Sequence, residues 1–305
     1  MPQRPAIATR TAHDGSWMAP DAGQRDLLYV SNANGVVNVY RYWQHTLAGV
    51  LTDFDLPSGE CVDSTGDVYI ADFHGRKIAK YAHGGKKPIA TIDTTPYRPY
   101  ACAVDHKSAT LAVVNYSGGP DHRGNIAIYI HGTGSPTYYT YLYHHFASCG
   151  YDDRGNLLAA SDRPQSGSSL TTFVYLPKGS SKLLVVNLPG PTASWLWGEI
   201  EAIQFDGKYW VVDDGENLYR YKINVTAQYI DTIRLSATYR NFGPIWLYRQ
   251  SATVRATQVV SGSLGYSADA VDFWAYPSGG TPLTTITKGL DRPYGVTISL
   301  RGAQK

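Results

Sequence analysis

The chain predicts an all-β fold, a six-bladed propeller with four antiparallel strands per blade, closed by a C-terminal strand that joins the N-terminal blade. Three observations lead there. A hairpin pattern returns six times, a third and fourth strand follow each copy, and no window shows apolar residues at the three-and-four spacing of a helix.

The clearest hairpins are CVDSTGDVYIAD (61–72), CAVDHKSATLAVVN (102–115) and CGYDDRGNLLAASD (149–162). Each alternates apolar residues, turns tightly on Asp, Gly or Asn, and runs into a second apolar strand ending in Asp or Asn. Fainter copies are DLLYVSN (26–32), EAIQFDGKYWVVDD (201–214) and RATQVVSG (255–262). The strand-end position therefore falls at Asn32, Asp72, Asn115, Asp162, Asp213 and Ser261, at intervals of 40, 43, 47, 51 and 48 residues.

The other half of each unit reads VVNVYRY (36–42), KIAKYAHGGKKPIATI (77–92), NIAIYIHGTGSPTYYTYL (125–142), TTFVYLPKGSSKLLVVNL (171–188), NLYRYKINVTAQYIDTI (217–233) and AVDFWAYPSGGTPLTTI (270–286). The first unit begins at its second strand, and RPYGVTISL (292–300) is a first strand with no partner after it. Joining the two removes the open edges of a broken ring. Residues 26–305 are accordingly one domain. Residues 1–25 lack strand alternation and read as the tether that follows an export signal or lipid anchor, so a periplasmic, cell-surface or secreted location is expected.

A formal charge of +2 with 17% charged residues gives no broad field of either sign, which argues against nucleic acid or an anionic membrane as an obligatory partner. No stretch approaches the roughly 18 to 20 apolar residues of a membrane helix. A monomer is expected. The 24 tyrosines suit strands, where the ring packs and the hydroxyl reaches water or a partner.

The order of Pro57, Gly59, Val62, Asp63, Gly66, Val68, Tyr69, Ile70, Ala71 and Asp72, followed by a strand ending in Tyr and a Gly-rich turn, resembles NHL-repeat propellers. More distantly it resembles the gluconolactonase and senescence-marker-protein superfamily. The resemblance runs from about residue 26 to the end and implies ligand sites at one mouth of the central channel. That mouth is formed by the loops entering the inner strands and the loops leaving the second strands. It also implies an oxygen-ligand site of one Glu, Asn residues and an Asp, for which Glu60, Asn115, Asp162 and Asp213 are the candidates. Ca²⁺ or another divalent cation is then the expected cofactor. The same Asp and Asn series has a plain alternative: these side chains satisfy backbone donors in the turn that follows.

Entry loops bring Arg98, Tyr100, His144, His145, Trp195, Trp197, Glu199, Glu201, Phe242, Arg292 and Tyr294 to the mouth; exit loops bring His74, Tyr116 and Arg163. Arg98, Tyr100, Tyr116, Trp195, Trp197, Glu199, Glu201, Phe242, Arg292 and Tyr294 are the expected ligand-binding residues. Aromatic walls over a polar floor suit an uncharged organic ligand or a saccharide. His145 and His74 are candidate bases, Glu60 a candidate acid or base, and Cys149 a candidate nucleophile assisted by His145. Two functions follow: a hydrolase of lactone or ester type at the mouth, or a non-enzymatic exported propeller holding a glycan, peptide or envelope partner.

Cys102 and Cys149 share a position in adjacent inner strands, whereas Cys61 lies one residue later and faces the other side of its strand. Glu60 falls in register with the two cysteines. Neighbouring inner strands are expected to splay beyond disulfide reach of about 7 Å, so free, buried thiols are expected. A disulfide in an exported protein is the alternative, as is the thiol nucleophile.

Overall fold

The computed structural model describes residues 15–119, 122–141, 145–162, 171–190, 200–236, 242–251, 254–264 and 269–302. Within them lie six antiparallel sheets arranged as blades. Blade one orders β1 (Trp17–Met18), β4 (Thr46–Leu51), β3 (Val37–Arg41), β2 (Leu27–Asn32) and, innermost, β25 (Pro293–Ser299). Blade two runs outward through β5 (Pro57–Val62), β6 (Val68–Asp72), β7 (Lys77–Tyr81) and β8 (Pro88–Asp93). Blade three is β9 (Arg98–Asp105), β10 (Thr110–Ser117), β11 (Asn125–Tyr129) and β12 (Thr137–Tyr139). In blade four β13 (His145–Tyr151), β14 (Leu157–Asp162), β15 (Thr172–Leu176) and β16 (Leu184–Val186) follow the same order. Blade five is β17 (Ala202–Phe205), β18 (Trp210–Asp213), β19 (Asn217–Asn224) and β20 (Thr226–Arg234). Blade six is β21 (Phe242–Tyr248), β22 (Gln258–Leu264), β23 (Asp269–Ala275) and β24 (Thr284–Ile286).

The closure expected from the sequence is present: Leu27 pairs with Ser299 and Val30 with Val296. The boundary at residue 26 shifts, however. Trp17 and Met18 pair with Val50 and Gly49 on the outer edge of blade one, and Asp21 forms an ion pair with Arg41 at 2.6 Å. Residues 15–25 therefore belong to the blade.

The apolar alternation of each strand is spent on the seams between blades. One cluster joins Ile70 and Val68 of blade two to Tyr29 and Val39 of blade one; another joins Cys61 and Tyr69 to Val104 and Val113 of blade three. Comparable clusters fill the remaining seams among the described residues. Each fully buried Val or Leu contributes about 2 kcal/mol, so every blade is stabilised chiefly by its two neighbours.

The turn between first and second strands is set by one carboxylate. Asp63 accepts from the amides of Thr65 and Asp67, Asp105 from Lys107, Asp152 from Arg154 and Asn156, and Asp206 from Lys208 and Tyr209. Such turns are local, which explains why the repeat is visible in sequence.

Inner strands approach each other closely near the axis. A Cβ at Gly59 would lie 2.7 Å from the Ala101 backbone, and one at Gly295 would collide with the Ser58 carbonyl. This contact overturns the expectation of free thiols at two positions. Cys61 and Cys102 form a disulfide with Cα atoms 5.6 Å apart. The one-residue offset turns Cys61 toward blade three while Cys102 faces blade two. Cys149 remains a free, buried thiol.

Candidate functional site

A β-bulge shapes the entry end of the channel. In blades one, two, three, four and six the inner strand carries one extra residue relative to its partner near its entry end. In blade three that residue is Tyr100, between Pro99 opposite Asn115 and Ala101 opposite Val114; in blade one it is Tyr294. A bulged residue leaves the ladder and is re-aimed at the rim, so two expected mouth tyrosines owe their placement to it.

Around Tyr100 the structure assembles a run of rings from three blades. Phe73 meets Tyr100 edge-on at 6.0 Å and Tyr116 at 6.2 Å, Tyr100 lies 5.7 Å from Tyr116, and Tyr116 stacks on His145 at 4.7 Å. His74 abuts Phe73 at 5.2 Å, and the Arg98 guanidinium sits 5.5 Å over the Phe73 ring. The rings of Phe73, Tyr100, Tyr116 and His145 are partly exposed. Five expected site residues, Arg98, Tyr100, Tyr116, His74 and His145, are thus brought together. Phe73 is an addition, and its signal was positional: it follows Asp72 as Tyr116 follows Asn115.

His145 Nδ1 lies 2.5 Å from the Tyr116 carbonyl oxygen. A carbonyl only accepts, so Nδ1 carries the proton and Nε2 is the basic nitrogen of the neutral ring. The contact also holds the imidazole parallel to the Tyr116 ring.

The strand-end series divides by use. Asp72 accepts from the amides of Asp55, Leu56 and Gly75, and Asn32 accepts from Asp291 N while donating to the Val30 carbonyl. Ser261 Oγ donates to the Gly243 carbonyl at 2.7 Å. These three do the structural work of turn and rim. Asn115 and Asp213 are different. Asn115 Nδ2 donates to Asn125 Oδ1 at 2.7 Å and its Oδ1 is buried with no hydrogen-bond partner; Asp213 Oδ1 accepts from Gly215 N and its Oδ2 is likewise unpartnered.

Glu60 has the same character. Ser31 Oγ donates to its Oε1 at 2.6 Å, Oε2 is buried without a partner, and burial drives the carboxyl well above the usual range against the pull of Ser31. Burial also raises Asp213 well above that range, the Gly215 amide opposing and the nearby Glu201 and Asp214 charges reinforcing it. In both, burial favours the protonated form of the carboxyl.

The oxygen-ligand set implied by the resemblance is tested by these atoms. Glu60, Asn115 and Asp213 each present one unpartnered buried oxygen, which is what a hard cation would use. Among the described residues no group of three His, Cys, Asp or Glu is placed to hold a metal.

Burial pushes the Cys149 thiol up to about 12, so it is protonated at neutral pH and lacks the thiolate a nucleophile needs. Arg292 is exposed beside Asp291 at 3.6 Å, and Glu201 approaches Asp213 through its backbone amide. Asp162 and Phe242 are described as strand positions, without their side chains. His144, Arg163, Trp195, Trp197 and Glu199 lie outside the described residues.

No protein-family model matches the chain, and no curated protein matches it. Solved structures do. A chain in the crystal structure of a nidogen/laminin complex is 16% identical with a TM-score of 0.67, covering 90% of this chain and 98% of that one. A protein of unknown function from Bacteroides caccae is 9% identical with a TM-score of 0.65, over 90% and 99% of the two chains. The β-propeller domain of Cps50 (Swd1) from Myceliophteria thermophila is 10% identical at 0.57, over 92% and 88%. At these identities the likeness is one of fold, and the fold is the six-bladed β-propeller.

Proposed function

We propose that the chain is a non-enzymatic, exported propeller that binds a saccharide at the entry mouth, on the surface made by Phe73, Tyr100, Tyr116 and His145. The observation that carries this reading is the contiguity of four partly exposed rings from three blades, with a cationic Arg98 beside them. Apolar faces of pyranose rings stack on such surfaces, and His145 Nε2, His74 and Arg98 supply hydrogen bonds at the edges. Kinship with NHL-repeat propellers is part of the same proposal, as is a monomeric state. The Cys61–Cys102 disulfide supports an exported location, since disulfides persist in oxidising compartments. Calorimetric titration with a panel of soluble oligosaccharides tests the reading. Saturable binding that weakens about tenfold in Tyr116→Ala supports it; no saturable binding to any member by the folded protein defeats it.

A second reading, a cation-dependent hydrolase of lactone or ester type, is favoured by the unpartnered oxygens of Glu60, Asn115 and Asp213. His145 Nε2 would then act on water. Turnover of a lactone panel that is lost on chelation and in Glu60→Gln supports it, and the absence of turnover with added Ca²⁺ removes it.

A further inference from the structure

The opposite end of the channel, where the inner strands run into their turns, contains a cavity of about 770 Å³. It is lined by the Cys61–Cys102 disulfide, Cys149, Ile203, Trp246, Phe205 and Tyr151. Near the opening Tyr248, Gln250 and Leu300 are shared with a second hollow of about 480 Å³ that reaches the exposed Trp43 at the surface.

We infer that this turn-end cavity is a binding site for a neutral, largely apolar aromatic molecule carrying one hydrogen-bonding group, with His106 as its polar contact. The volume lies within the range that encloses small organic ligands. A cation is not selected here, because the carboxylates at the rim are already engaged. Asp63 takes the Thr65 and Asp67 amides and pairs with Lys80 at 3.0 Å; Asp105 takes Lys107 N and Ser108 Oγ; Asp152 takes Arg154 N and both nitrogens of Asn156. Asp153 holds Arg249 by two bonds of 2.9 Å.

His106 is the exception. It follows Asp105 in the turn, is exposed, lines the cavity, and makes no hydrogen bond among the described residues. Desolvation and then the Arg249 charge lower its pKa, so the ring is neutral at neutral pH. A neutral imidazole offers one donor and one acceptor, which matches an amine, hydroxyl or carbonyl and gives no preference for an anion. The nearby Gln250 is exposed and adds an amide at the rim. Trp246 occupies the inner-strand position that carries Glu60, Cys102 and Cys149 in blades two, three and four, so blade six places an indole where those blades place small or polar groups.

The probe that tests this is N-phenyl-1-naphthylamine, a neutral aromatic amine whose fluorescence rises in apolar surroundings. The wild-type protein is expected to bind it saturably at one site, with energy transfer from tryptophan. His106→Ala should weaken binding about five-fold, the equivalent of one neutral hydrogen bond. Ser64→Trp, which fills the cavity from its turn, should abolish binding, and Gln250→Trp at the exposed rim should do the same if the first variant does not fold. Tyr116→Ala, at the other mouth, should leave binding unchanged. Absence of saturable binding to the folded wild type overturns the inference. So does binding that survives both blocking variants, or that is lost in Tyr116→Ala.

Discussion

At the turn end of the channel Asp63, Asp105, Asp152 and Asp206 give their carboxylates to the amides of their own turns. At the entry end the corresponding series starts the same way, with Asp72 taking three backbone amides, and then departs from it: Asp213 and Asn115, with the inner-strand Glu60, each keep one buried oxygen unpartnered. At the turn end the repeated aspartate accepts backbone amides in each of these four blades. Glu60 and Asn115 stand where other blades carry different residues, whereas Asp213 repeats the residue type of Asp72 and differs from it in what its carboxylate meets. The contrast separates residues whose polar atoms build the ring from residues that leave a buried polar atom unpaired at a cost in stability.

The largest effect that sharpens the comparison lies on the channel wall between the two ends. The disulfide closes a loop with a sequence separation of 41, for which chain entropy gives about 4 kcal/mol. Cys61→Ala with Cys102→Ala should lose about that much in urea unfolding, whereas Cys149→Ala, a smaller change at a free thiol, should lose about 1 kcal/mol. Thiol titration of the unfolded, unreduced protein should find Cys149 alone reactive. Next comes the strand-end position itself. Asp72→Ala strands the amides of Asp55, Leu56 and Gly75 and should cost about 3 kcal/mol, while Asp213→Asn, which puts an isosteric neutral amide where burial already disfavours the charge, should stay within about 0.5 kcal/mol of wild type at neutral pH. Equal losses at the two positions would break the division drawn above.

The sequence makes the ring legible because its cause is local. Asp turns, alternating strands and an orphan first strand at the C-terminus each act within a dozen residues, and the closure of Pro293–Ser299 on Leu27–Asn32 follows from them. The cysteine pairing was half legible. The offset of Cys61 relative to Cys102 is visible in sequence, but the approach of the inner strands depends on Gly59 meeting the Ala101 backbone across a seam. The aromatic arc is legible through residue position, except for Phe73, which directly follows the turn-forming Asp72 and reads locally as part of that turn. The turn-end cavity was not legible at all, since it arises from how the inner strands and their turns converge, and Trp246 reads locally as an ordinary strand residue.

A pH series places Glu60 on one side of the division or the other. Its carboxyl is held by burial well above its ordinary value of 4.5, so the folded state binds this proton more tightly than the unfolded chain does. Stability from this group is complete below about pH 4.5 and falls as pH rises toward the folded pKa. Glu60→Gln removes that loss. Its urea midpoint should match wild type at pH 4 and exceed it at pH 8. Millimolar Ca²⁺ that raises the wild-type midpoint at pH 8, and not that of Glu60→Gln, would move Glu60 into the cation-binding reading. A midpoint for the variant below wild type at pH 8 would show that the carboxylate is charged and satisfied.

The smallest effect concerns a motif shared by both ends, an Arg over a Phe. Arg249 lies 6.0 Å from the Phe205 ring and is also clamped by Asp153, whereas Arg98 lies 5.5 Å from Phe73 and has no ion pair among the described residues. A clamped guanidinium is part of the frame; an unclamped one keeps its five donors for a ligand. Arg249→Met should therefore cost about 1.5 kcal/mol in urea unfolding, most of it from the bidentate pair, and Arg98→Met about 0.5 kcal/mol from the ring contact alone. If saccharides bind at the entry mouth, Arg98→Met should reduce their affinity by more than its effect on stability accounts for. Matched losses at the two arginines, with affinity unchanged, would make Arg98 one more structural residue and leave the rings of Tyr100 and Tyr116 to carry recognition without a cation.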